Sequence, residues 1–138
     1  MSKTQYLLTV IQDLSNKIRE IKEKEFQTTK YQDIPLSFFH YINAINSLHN
    51  PTFLELSNKL KLSKPSITVA VNKLIEREFA KKTQSEEDGR VFHIALTDKG
   101  KALAKASENA QLKVVDYISE KLSAEEVDDL VVLLTKIS

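Results

Sequence analysis

The chain predicts a mainly α-helical fold built around a winged helix-turn-helix. Three observations predict it. Two helical patterns are joined by the tight turn Lys61 to Ser63. The period then drops to two on either side of "SEEDGR", the signature of a β-hairpin. Long amphipathic helical patterns flank this block on both sides. The 138 residues suit one domain. Within it, 35–97 reads as the winged lobe, and 1–34 and 98–138 read as helices that pair with a second copy.

Leu7, Ile11, Leu14, Ile18 and Ile21 are spaced 4, 3, 4, 3, an apolar seam at heptad spacing. The seam comes before any compact core, so a partner chain is its natural cover. "TTKYQDI" is a connector. Pro35 opens a second helix, with Phe38, Ile42, Ile45 and Leu48 on one face, and Asn50-Pro51 stops it. Thr52 and Glu55 form a capping box ahead of a short helix whose apolar positions are Leu54, Leu56 and Leu60. Ser63 caps the next helix, with Pro65 in its first turn, where a missing N–H costs nothing.

"FAKKTQ" and "VFHIAL" are the two strands of the hairpin. Alternation sends Phe92, Ile94 and Leu96 one way, as an anchor for the tip, and Val91, His93 and Ala95 the other. Thr97 caps a long helix over 98–121, and Ser123 with Glu126 forms a second capping box that opens a last helix to Ile137. These two helices are apolar at Leu103, Ala106, Ala110, Val114, Tyr117 and Ile118, then at Val127, Leu130, Val131 and Leu134.

Composition excludes several classes of function. The chain has no cysteine, so it has no disulfide framework and no thiol chemistry. Its longest aliphatic run, "LVVLL", is far too short to span a bilayer, which predicts no membrane partner. The opening "MSKTQYLLTVIQDL" is broken by Thr9, Gln12 and Asp13, against the pattern of a signal peptide, so a cytoplasmic location is expected. Two glycines cannot build a phosphate-binding loop. The three histidines, His40, His49 and His93, share no helix face with one another or with an acid, so neither a metal site nor a catalytic constellation is predicted. No enzyme activity and no cofactor are expected.

Net charge is only +1, but it is unevenly spread. Residues 52–97 carry eight Lys and Arg against six acids, whereas 98–138 carry six against eight. A polyanion would dock on the middle segment.

The second helix of a helix-turn-helix has a packing side and a reading side. Ile67, Val71, Leu74 and Ile75 are its packing side. Ser63, Lys64, Pro65, Ser66, Thr68, Val69, Asn72 and Lys73 are then its outward residues. Hydroxyls and amines suit phosphates, asparagine suits adenine, and Val69 suits a thymine methyl. At the hairpin tip Asp88 and Arg90 share a strand face across Gly89, so Asp88 would hold the guanidinium while Gly89 supplies backbone freedom. Such an arginine suits the narrow, negative minor groove of A·T tracts. Glu86 and Glu87 would point away from phosphates.

"LSKPSITVAVNKLIEREFAKKTQSEEDGRVFHIALTDKG" resembles the core of the multiple-antibiotic-resistance regulator (MarR) family of bacterial transcription factors. Asp88, Arg90, Ile94, Leu96, Thr97 and Gly100 stand where that family's wing pattern has them. The resemblance implies a homodimer that acts as a repressor, or otherwise controls transcription, from an inverted repeat in double-stranded DNA, and that is relieved by a ligand or a chemical signal. Thr68, Val69 and Asn72 favour an A·T-rich half-site. A small-molecule effector pocket would include Phe38, Tyr41 and Ile42. Family members often carry arginine where Val69 stands, glycine where Glu78 stands, and proline and aspartate where Glu86 and Glu87 stand. The alternative is a winged-helix module that binds protein and not DNA.

Overall fold

The structure is a computed structural model that describes residues 1–27, 29–31 and 33–138. The connector expected over 28–34 includes two residues, 28 and 32, that lie outside the described set. The elements are α1 (Lys3–Gln27), α2 (Leu36–Leu48), α3 (Phe53–Leu60), α4 (Lys64–Glu76), β1 (Ala80–Gln84), β2 (Phe92–Leu96), α5 (Asp98–Lys121) and α6 (Ala124–Ile137). The strands pair antiparallel, from Ala80 opposite Leu96 to Gln84 opposite Phe92. No described helix is long and apolar enough to cross a membrane. The chain divides into two compact units, Asp33–Ser107 and Met1–Gln32 with Glu108–Ser138.

The core of the first unit comes from all its elements. Phe38, Phe39, Ile42 and Ile45 of α2 are buried with Leu56 of α3, Ile67, Val71 and Leu74 of α4, Ile94 and Leu96 of β2, and Leu103 of α5. Phe79 leads the chain from α4 into the hairpin. It is buried and meets Phe38 edge to face at 6.3 Å. Three apolar assignments change. Leu54 is 53% exposed, and Ser57 takes the inner position on α3 instead. Ala70 replaces the half-buried Ile75 on α4. Phe92 is 40% exposed, because the strand there has already passed the edge of the core.

Local chemistry fixes each joint. Thr52 and Glu55 close the capping box at α3, with N–H to side-chain distances of 3.2 and 3.1 Å. Lys61 ends α3 in the left-handed region at φ 55°. Ser57 ties that turn down twice: its carbonyl accepts the Leu62 N–H, and its hydroxyl donates to the Leu62 carbonyl. At the end of α4 the N–H of Phe79 reaches the Leu74 carbonyl and that of Glu78 reaches the Ile75 carbonyl, both at 2.9 Å. This is a Schellman cap, and its left-handed position belongs to Glu78, at φ 65°.

The wing is braced on two sides. Thr97 donates its hydroxyl to the Glu78 carbonyl at 2.6 Å and accepts the Gly100 N–H at 3.0 Å, so it caps α5 and holds the wing root together. Gly100 is glycine for lack of space. A Cβ there would lie 2.0 Å from the Phe79 carbonyl oxygen. On the other side, the Ile94 N–H donates to the Pro51 carbonyl at 2.8 Å, and His93 Nδ1 lies 2.9 Å from the Asn50 carbonyl oxygen.

The second unit holds α1, α6 and the C-terminal part of α5. Ser123 and Glu126 form the capping box at α6. Within this unit Lys17 and Lys121 both lie over the Tyr117 ring, at 5.1 and 5.6 Å. Large apolar side chains remain uncovered: Tyr6, Leu7, Leu8, Val10, Ile11 and Leu14 on α1, and Val131, Val132, Leu133, Leu134 and Ile137 on α6. The exposed stripe of α1 is broader than the heptad seam.

Candidate nucleic-acid interface

Helix α4 turns one side outward because α3 and the core take the opposite side. Ser63, Lys64, Pro65, Ser66, Thr68, Val69, Asn72 and Lys73 are all exposed, while Ile67, Ala70, Val71 and Leu74 are buried. Ser63 accepts the Ser66 N–H at 3.3 Å and donates its own proton to the Ser66 hydroxyl at 2.9 Å. Thr68 gives its proton to the Lys64 carbonyl at 3.0 Å. Its oxygen lone pairs and methyl group are what it offers outward. Lys64 and Lys73 are the cations of this side, and Glu76 and Glu78 come only at its end.

At the wing tip, Arg90 donates from Nε to Asp88 Oδ1 at 3.2 Å and from Nη2 to Oδ2 at 3.3 Å. The Arg90 N–H also donates to Asp88 Oδ1, at 3.0 Å. The side chain of Arg90 is nonetheless 91% exposed. These bonds, the side-chain pair above all, hold the Asp88 carboxyl below its ordinary range.

The route to this pairing differs from strand alternation. Residues 85–91 are not strand; the Val91 N–H closes a turn onto the Asp88 carbonyl at 3.0 Å. The Asp88 side chain meets the backbone two residues on, as aspartate does in turns. Gly89 supplies no unusual conformation, since no glycine here has positive φ. Its small size serves instead. Gln84 Nε2 donates to the Gly89 carbonyl at 2.7 Å and would sit 3.1 Å from a Cβ.

Two concavities among the described residues lie beside α4. One, of about 610 Å³, runs between α4 and the wing and is lined by Thr52, Phe53, Leu54, Lys64, Thr68, Lys82, Arg90, Val91 and Phe92. It has three cations and no carboxylate on its lining. The other, of about 330 Å³, is lined by Phe38 and Tyr41 of α2 together with Ser66, Val69, Ala70 and Lys73 of α4. Ile42 does not reach it; that side chain is wholly buried in the core. Sequence reasoning missed Lys82, Phe53 and Gln84. Only the Lys81-Lys82 pair, cationic and on a hairpin strand leading to Arg90, could have pointed to the first.

Comparison with known proteins agrees with this geometry. Residues 17–106 match the family model described as transcriptional regulator SarA/Rot. The chain is 25% identical over 113 residues to the HTH-type transcriptional regulator SarZ of Staphylococcus aureus, covering 82% of this chain and 75% of that one. It is 26% identical over 93 residues to the HTH-type transcriptional regulator BilQ of Clostridioides difficile, covering 67% of this chain. It spans only 63% of the length of BilQ. Among solved structures, Streptococcus pneumoniae FabT in complex with DNA superposes with a TM-score of 0.87 at 24% identity, covering 98% of this chain and 94% of that one.

Proposed function

The chain belongs to the SarA/Rot family of transcriptional regulators and has the MarR-like winged helix, and from that premise we propose that it binds an inverted repeat in double-stranded DNA as a homodimer. One observation carries this reading: α4 and the wing face a single groove, lined by Lys64, Lys82 and Arg90 and by no acid. Helix α4 enters the major groove, with Ser63, Lys64, Ser66 and Lys73 on phosphates and Thr68, Val69 and Asn72 on base edges. Pro65 shapes the first turn of that helix. Arg90, steadied by Asp88, enters the adjacent minor groove. The uncovered apolar faces of α1 and α6 supply the surface for a second copy. Action on chromosomal DNA places the protein in the cytoplasm.

The cationic lining argues against a winged helix that binds only protein. The depression beside Phe38 and Tyr41 is the place for a small-molecule effector, since an occupant there would press on Val69 and Lys73 of the reading helix. Fluorescence anisotropy with labelled duplex from upstream of the protein's own gene tests the proposal. The expected result is binding whose affinity falls linearly with salt on logarithmic axes. Failure to bind even at low salt would contradict it.

A further inference from the structure

The groove between α4 and the wing does more than separate two reading elements. We propose that it is a track for the sugar-phosphate backbone, with Lys82 as a phosphate clamp that Phe53 holds in position. The inference rests on the DNA-binding reading above and gives Lys82 and Phe53 roles that reading leaves unassigned.

A helix in the major groove and an arginine in the neighbouring minor groove leave one strand of the duplex between them. That strand has to cross the surface between α4 and the wing. The groove there matches what such a strand presents. A backbone offers anionic phosphates alternating with largely apolar deoxyribose. The groove offers three cations, Lys64, Lys82 and Arg90, around an apolar lining that includes Phe53, Leu54 and Phe92. Leu54 is 53% exposed, and Phe92 40%. Isolated exposed apolar side chains are ordinary, but two that share a groove with three cations, and with no carboxylate on its lining, match this alternation.

Lys82 is the middle cation. It stands on β1 opposite Ile94, at the braced part of the wing, whereas Arg90 stands at the tip. Its ammonium lies over the Phe53 ring, 5.4 Å from the centroid. A lysine otherwise has a long flexible stem and loses rotamer freedom on binding a phosphate. Attraction to the ring face restricts it beforehand, yet leaves its N–H groups free to donate. Phe53 is itself fixed, as the first residue of α3 after the Thr52 cap. It acts as a positioning residue.

The test is the salt dependence of binding to two labelled 30-base-pair duplexes of unrelated sequence, at about 0.05–0.2 M salt. Each phosphate contact contributes about 0.9 to the slope of log affinity against log salt. Lys82→Gln removes one contact from each protomer of the dimer, so it should flatten that slope by about 1.8 and weaken binding about threefold or more, equally on both duplexes. Phe53→Leu should reproduce part of that loss of affinity while Phe53→Tyr keeps the parent's behaviour, because only an aromatic face holds the ammonium. Lys136→Gln removes the same charge from α6, outside the groove, and should leave the slope unchanged. A Lys82→Gln protein with the parent's slope and affinity overturns the clamp, while DNA binding by the parent still stands. If Lys136→Gln matches Lys82→Gln, the effect is overall charge and the clamp is likewise overturned. A parent that binds neither duplex at low salt overturns the DNA-binding reading itself.

Discussion

The carboxylate of Asp88 grips the guanidinium of Arg90 at both Nε and Nη2, yet the Arg90 side chain stays 91% exposed. An exposed ion pair of this kind adds little to folding stability. Its consequence is orientation: the arginine is held outward before any partner arrives, and less freedom is lost on binding.

This pairing predicts a titration. The Asp88 carboxyl is held below its ordinary range because Arg90 bonds to the ionised form. A folded value below the unfolded one means that the pair's contribution is present above the ordinary aspartate range. It is lost as pH falls through the lowered folded value. Carboxyl ¹³C NMR should show the lowered midpoint, and Arg90→Gln should return it toward the ordinary range. An unchanged midpoint in that variant would mean the pair does not persist in solution.

Two positions at the wing root predict opposite stability changes. Glu78 occupies the left-handed position of the Schellman cap, where a side chain costs roughly 1–2 kcal/mol and glycine does not. Glycine's extra unfolded-state entropy offsets part of that, so Glu78→Gly should stabilise by up to about 1 kcal/mol. Gly100→Ala should destabilise by roughly 1–3 kcal/mol, since its methyl would meet the Phe79 carbonyl. Urea melts with unchanged slopes read both.

The exposed apolar faces of α1 and α6 predict an obligate dimer. Light scattering at micromolar concentration should give twice the chain mass. Charges at Ile18 and Leu130 together should lower that mass and weaken DNA binding. A well-folded monomeric parent would refute the assembly.

Thr68, Val69 and Asn72 are all exposed on α4, and none of them can make the bidentate contact by which arginine or lysine reads guanine. Selection from random duplexes should therefore return A·T-rich half-sites about one DNA turn apart. Asn72→Ala should relax preference at one position, at a cost of roughly 1–3 kcal/mol. G·C-rich half-sites would refute this.

The helices and the hairpin were legible because each carries its own signal: capping boxes at Thr52 and Ser123, Pro35 and Pro65 at helix starts, and alternation in β2. Which side of α4 faces outward followed from periodicity alone. Less legible was anything set by contacts distant in sequence. Gly89 read as a flexible point, and Gly100 only as a position in the wing pattern. One instead makes room for Gln84, and the other for the Phe79 carbonyl. Phe92 follows the core alternation but lies beyond the core's edge. The Lys82–Phe53 contact joins residues 29 apart, and no local pattern encodes it.

If α4 and the wing engage DNA together, substitution of Arg90 weakens that engagement. Affinity for the selected inverted repeat should be measured at fixed physiological salt for the parent, Asp88→Ala and Arg90→Ala, with circular dichroism and light scattering on each. Arg90→Ala is expected to bind tenfold or more weakly, about 1.4 kcal/mol or above, with fold and mass unchanged. Asp88→Ala is expected to lose less, because it only loosens the arginine. An Arg90→Ala protein that binds like the parent would show that the wing is not a DNA contact.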